Sequence, residues 1–212
     1  MLKSVLSEGG LKALAYDVGP GRYYQPAYRN IASAIDVESG AFLDVGCGPG
    51  WLSIYVAAGK PELDAIGIDT SEAMLQMADR HKGTRLNVTY RTMDAAEIIY
   101  PEGTFTAAAA VQSAHHWEDP AAVLSEVYRV LQPGCSFYIY EADAEITEVP
   151  EGWIQRQGLF PPDAWILRNW KKYGMDATQW EELKQQVRAS PFGGGEDGRH
   201  GFYRRLVLTR QQ

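Results

Sequence analysis

Between residues 44 and 50 an aspartate is followed by three glycines at alternate positions, in the run Asp44-Val45-Gly46-Cys47-Gly48-Pro49-Gly50. Glycine takes positive φ without penalty and lets a backbone approach a ligand closely. Gly46, Gly48 and Gly50 are therefore candidate cradle residues, with Asp44 and Cys47 beside them. Two further carboxylates stand after candidate strands, Asp69 after an apolar run and Asp94 after a loosely alternating one. An ionised carboxylate accepts from two adjacent hydroxyls at once, so Asp69 is a candidate for holding a diol; the alternative is that it caps the helix that follows. His115 and His116 are adjacent, and an imidazole exchanges a proton near neutral pH. The two cysteines, Cys47 and Cys135, have no spacing that suggests a metal site or a disulfide framework, so no metal is expected.

These residues need elements to position them. Phe42–Val45 reads as a strand, the glycine run as a turn, and Trp51–Ala58 as a helix whose N-terminus offers unpaired N–H groups. Leu63–Ile68 reads as a second buried strand ending at Asp69, which lies 19 residues beyond Gly50. Thr70 or Ser71 can cap the next helix, and Glu72 complements its dipole. Met74, Leu75 and Ala78 form its inner face. Leu86–Met93 is a third strand, leading to Asp94 and Ala95. Phe105–Val111 is a fourth strand, rich in alanine and poor in strand propensity. Asp119 caps a helix with Pro120 at its first position, which runs to Leu131. Phe137–Tyr140 is the fifth strand. Asp176–Ala189 is a last helix, and Pro191–Gly195 with Gly201–Thr209 reads as a terminal hairpin, with Gly193, Gly194, Gly195 and Gly198 at its bends.

The glycine run could serve a dinucleotide, but that fingerprint needs a third small residue where Trp51 stands. The G-x-G-x-G spacing with Asp44 two residues ahead instead resembles the first motif of class I S-adenosylmethionine (SAM)-dependent methyltransferases. Asp69-Thr70-Ser71-Glu72-Ala73-Met74-Leu75 resembles the family's next segment, and His115-His116-Trp117-Glu118-Asp119-Pro120 resembles the stretch after the fourth strand in its small-molecule members of the methyltransferase domain 11 type. The resemblance implies an α/β Rossmann-like fold, with seven mostly parallel strands in the order 3-2-1-4-5-7-6 and helices on both faces. It implies SAM as cofactor and S-adenosylhomocysteine as product. Asp44, Gly46, Cys47, Gly48 and Gly50 would lie at the cofactor. Asp69 and Thr70 would face its ribose, with Met74 along the ribose or adenine edge unless it is plain core. Asp94 and the N–H of Ala95 would face the adenine, and Gln112 and Tyr24 would complete the set. His115 or His116 would be catalytic unless both are structural. Where the family commonly has an aspartate in the fourth strand, this chain has Thr106.

The resemblance covers residues 40–141 well, and the two ends by arrangement. Its implied organisation is one domain over 1–212: a helical arm (1–36), a SAM-binding core (37–141), a lid insertion (142–175), and a final helix with the hairpin (176–212). Leu11, Leu14 and Ala15, the break at Asp17–Gly21, and Pro26, Ile31 and Ile35 support helices in the arm. Tyr16, Tyr23, Tyr24 and Tyr28 either pack the arm or form an aromatic lid over a sulfonium. In the insertion, Trp153, Phe160, Trp165, Trp170 and Tyr173 form the lid's own core or touch substrate.

At 212 residues the chain suits one domain with a real core. The formal charge of −7 makes a nucleic-acid partner an unfavourable expectation. Arg199, His200, Arg204, Arg205 and Arg210 read as a solvated hairpin face. No long apolar segment suggests a signal or a membrane span, and the cysteine usage fits a cytoplasmic protein. The expected function is methyl transfer to a small-molecule acceptor. The alternatives are a SAM-binding protein or subunit without catalysis, and a methyltransferase acting on protein or RNA. Oligomeric state is open.

Overall fold

A computed structural model describes residues 23–153 and 163–212. The expectations for Leu11, Leu14, Ala15, Tyr16 and Asp17–Gly21, and for Phe160, Pro161 and Pro162, lie outside the described residues.

Strand β1 (Gly40–Val45) leads through the glycine turn into α2 (Trp51–Ala57), preceded in the chain by α1 (Gln25–Ala34). Then come β2 (Leu63–Asp69), α3 (Glu72–Lys82), β3 (Val88–Thr92), β4 (Ala107–Val111), a 3-10 turn (Ala114–His116), α4 (Pro120–Val130) and β5 (Ser136–Ala142). Helices α5 (Asp163–Tyr173) and α6 (Ala177–Ala189) precede the hairpin of β6 (Glu196–His200) and β7 (Tyr203–Thr209). The seven strands form one sheet in the order β3-β2-β1-β4-β5-β7-β6. β1 to β5 pair in parallel, and β7 pairs antiparallel with both β5 and β6. The order foreseen from the resemblance is the one present.

The alanine run of β4 forms a strand despite its poor propensity. It sits between β1 and β5, and all five residues are buried. Strand preference measures fit to a packed pleated surface, and small side chains suit a central strand covered on both faces. One face packs against Tyr28 and Ile31 of α1, Leu52 and Val56 of α2, Leu75 of α3 and Trp170 of α5. The other packs against Val123, Leu124 and Val127 of α4, and Trp180 and Leu183 of α6.

Three expectations are corrected. Gly198 lies inside β6, paired with Arg205, and the hairpin turns at Gly201 and Phe202; its first strand is 196–200, not 191–195. The basic cluster is not a uniformly solvated face. Arg204 bonds to Asp143 at 2.9 Å and Glu145 at 2.7 Å, with 12% of its side chain exposed, and Arg199 also pairs with Asp143. Leu86 is not part of β3 and is 94% exposed.

Candidate active site

The C-terminal ends of β1 to β4 surround a cavity of about 790 Å³. Crevices at this end of an open parallel sheet are where such folds bind ligands.

The glycine turn forms one wall. Gly46, Gly48 and Gly50 have φ of 69°, 50° and 80°, a region that favours glycine. Their roles differ. A Cβ on Gly46 would meet Cβ of Ser113 at 2.5 Å, and Ser113 is held there because its hydroxyl donates to the Val45 carbonyl at 2.8 Å. A Cβ on Gly48 would meet nothing within 4 Å, so Gly48 borders open space. Gly50 does not line the cavity; a Cβ there would meet Tyr90 Oη at 2.2 Å. The missing side chain at Gly50 lets Tyr90 of β3 pack against it.

The turn's own N–H groups are largely used within the fold. Gly46 and Cys47 donate to the Ile68 carbonyl, both at 2.9 Å, and Gly50 donates to Cys47 at 2.9 Å. Gly48 donates to Asp69 Oδ2 at 2.9 Å. Asp69 Oδ1 accepts from Ser71 N–H at 2.8 Å. Asp69 thus ties the end of β2 to both the turn and the start of α3, while Ser71 is the helix cap, accepting from Met74 N–H at 3.4 Å. Each oxygen retains acceptor capacity toward the cavity.

Asp44 also borders the cavity, but Ser53 occupies it. Oδ2 accepts from the Ser53 N–H at 3.0 Å and from its hydroxyl at 2.6 Å. Burial pushes its pKa up to about 7, against the lowering effect of the Ser53 bonds. Burial also raises the Cys47 thiol, so Cys47 is an apolar wall residue rather than a nucleophile.

Beyond β2, Thr70 and, in α3, Met74 line the cavity, and Met74 is half-buried, in contrast to Leu75, Met77 and Ala78 in the core. Asp94 and Ala95 line it beyond β3, with Asp94 Oδ1 accepting from Ala96 N–H at 2.9 Å. Gln112 lines it beyond β4 with φ of 53°. It is the single non-glycine residue with positive φ among the described residues, and such outliers persist where surroundings impose them. Tyr24 is not among the lining residues; it is buried, 6.5 Å from Trp170 and 6.4 Å from Phe202 between ring centroids. The residue of α1 in the lining is Tyr28.

The histidines separate. His115 Nδ1 lies 2.7 Å from Oε2 of Glu141, whose other oxygen accepts from Ala114 N–H at 2.7 Å. Glu141 is fully buried. Burial alone would lower the His115 pKa, but the Glu141 hydrogen bond and charge outweigh it, and the net shift is upward. His115 is absent from the cavity wall, whereas His116 lines it. The rings sit 3.9 Å apart. Burial first, and His115 second, lower the His116 pKa. Two neighbouring imidazoles are thereby pushed in opposite directions. Sequence reasoning missed Glu141 as a partner. The available signal was an acidic residue at the end of an otherwise apolar strand.

Among the described residues no cluster of metal-ligating side chains is present, and no helix is long and apolar enough to cross a membrane.

Residues 43–139 match a family model described as a methyltransferase domain. Over this stretch, a little under half of the chain, the sequence is that of a methyltransferase domain. The chain is 28% identical over 176 residues to 27-O-demethylrifamycin SV methyltransferase of Amycolatopsis mediterranei, covering 76% of this chain and 63% of that protein. It is 36% identical over 94 residues to a ubiquinone biosynthesis O-methyltransferase of Methylococcus capsulatus, covering 43% and 39%. The chain thus spans less than two thirds of these relatives' own length. The fold matches that of a SAM-dependent methyltransferase of Aquifex aeolicus, with a TM-score of 0.67 at 19% identity over 94% of this chain and 97% of that one. A chain from Methanococcus maripaludis matches with a TM-score of 0.73 at 18% identity, over 96% and 92%.

Proposed function

We propose that the chain binds SAM in this cavity and transfers its methyl group to a small-molecule acceptor. The observation that carries the reading is the convergence on one cavity of the glycine turn, Asp69, Asp94 and His116 from the ends of four adjacent parallel strands. The volume suits a small-molecule site. Five carboxylates line it (Asp44, Asp69, Asp94, Glu118, Asp119), with no lysine or arginine among the described lining residues. That balance suits a ligand carrying positive charge.

When bound, SAM supplies a methyl group already activated on a cationic sulfur. The protein's task is mainly positioning. Asp69 receives the ribose hydroxyls on the lone pairs left by its two backbone bonds, with Thr70 and Met74 beside the sugar. Asp94 and the Ala95 N–H face the adenine. Gly46, Cys47 and Gly48 would form the floor under the cofactor, with Gln112 completing the set. His116, held neutral, accepts the proton of an acceptor that must lose one. His115, hydrogen-bonded to Glu141, orients the turn that carries His116. Apart from Tyr28, the residues lining this site all fall within 37–141.

Calorimetric titration with SAM, S-adenosylhomocysteine and NAD tests the reading. Binding of the first two and none of the third is expected. Asp69→Ala is expected to weaken SAM binding by about 1.5–3 kcal/mol, the range for a hydrogen bond to a charged group. NAD binding, or no binding of SAM and its product, overturns the proposal.

A further inference from the structure

The exit of the glycine turn is held by side chains from α3 and β3. His81, in the last turn of α3, places Nδ1 2.9 Å from the Pro49 carbonyl. A carbonyl only accepts, so Nδ1 carries the proton. The same ring stacks on Trp51, with centroids 4.1 Å apart and planes 18° from parallel. Trp51 in turn stacks on Tyr55 at 6.2 Å, and its indole Nε1 is buried without a hydrogen-bond partner. Ring packing, not a polar anchor, therefore sets the indole's position. One residue on, the Tyr90 hydroxyl donates to the Gly50 carbonyl at 3.0 Å.

These bonds complete the turn. Its N–H groups are held by Ile68, Asp69 and Cys47, but three positive-φ glycines give the segment little stiffness of its own. The Pro49 carbonyl and the Gly50 N–H belong to one peptide plane, so the bond from His81 to the first and the bond from the second to Cys47 hold that plane at both edges. Pro49 also lines the cavity.

We infer that His81 is a positioning residue that locks the Pro49–Gly50 peptide, and with it the floor of the cavity, by donating to the Pro49 carbonyl. Its effect on SAM rests on the proposed function; its effect on the turn does not. The dinucleotide pattern wants a small residue at position 51, and here Trp51 turns aside onto His81 while Gly50 takes the close contact with Tyr90.

Two variants separate the hydrogen bond from the ring. His81→Asn keeps a donor at the same number of bonds from the backbone and loses the stack. His81→Phe keeps the stack and loses the donor. Amide hydrogen exchange at Gly48, Gly50 and Trp51 and calorimetric SAM affinity are measured for both, beside the wild type and His81→Ala. We expect His81→Ala and His81→Phe to speed exchange at these amides at least tenfold with little change in Tm, and to raise the SAM Kd about tenfold. His81→Asn should stay within threefold of wild type in both. Unchanged exchange in His81→Phe overturns the inference. So does faster exchange in all three variants alike, which would mean that a donor at this position does not by itself hold the peptide. Faster exchange in Phe and Ala alone, in a wild type that does not bind SAM, keeps the lock and removes the proposed function.

Discussion

His115 and His116 are chain neighbours with opposite surroundings. One is bonded to a buried carboxylate and the other faces the cavity. The lowered His116 pKa means that the ring is neutral above its ordinary titration range and gains a proton only below it. For an acceptor that must lose a proton, kcat should therefore be level from about pH 7 upward and fall below about pH 6.5. His116→Asn should reduce kcat by about 10²–10⁴-fold and leave the SAM Kd within a few-fold. A steady-state pH profile with the acceptor found by a substrate panel checks both; an unchanged kcat removes His116 from the proton path. Other residue assignments depended on direction. Gly50 and Tyr24 stand near the right segments, but their neighbours turn them to packing.

The elements follow from local rules wherever a cap or a period is strong. Asp119 accepts from Ala122 N–H at 3.0 Å and opens α4 with Pro120 behind it, as its sequence implies. Asp176 does more than end a loop. It accepts from Gln179 N–H at 2.9 Å, and the Gln179 side chain accepts from Asp176 N–H at 3.0 Å, closing a reciprocal box. Asp176→Ala should lower stability by about 1 kcal/mol. Urea unfolding gives the number, and a loss below a few tenths would mean that tertiary contacts alone start α6. Strands were harder to bound. The pairing that ends β3 at Thr92 and starts β7 at Tyr203 comes from neighbours in the sheet, not from the strand's own residues.

For the molecule as a whole, Asp44 is an ionisable group beneath the site whose charge opposes folding. Its folded pKa, about 7, lies above its ordinary 3.8. A raised folded pKa means that the folded state holds the proton longer. The associated stability is full below pH 3.8 and is lost as pH rises through about 7. Asp44→Asn removes this dependence. Relative to the variant, the wild type should lose at most about 4 kcal/mol between pH 4 and pH 8. Denaturant curves at the two pH values test it, and a constant difference would mean that Asp44 stays ionised in its buried setting. The Ser53 bonds hold Asp44 against the first turn of α2, so the carboxylate joins β1 to the helix while bordering the cavity.

The sequence by itself determined the sheet order through its resemblance, and the strand–turn–helix units and the placing of acids after strands through local pattern. These features are written in short range: a glycine that must take positive φ, a cap three residues from its donor, an apolar run ending in a carboxylate. Only the tertiary structure decided which histidine meets the cavity. It paired Glu141 with His115 across 26 residues and gave the Pro49 carbonyl to His81 across 32. It also set Gln112 at positive φ and turned Arg204 from a surface charge into a partner of buried Asp143. In each case the deciding interaction joins residues brought together by the sheet and its helices, and direction and distance between them exist only once the layers have packed.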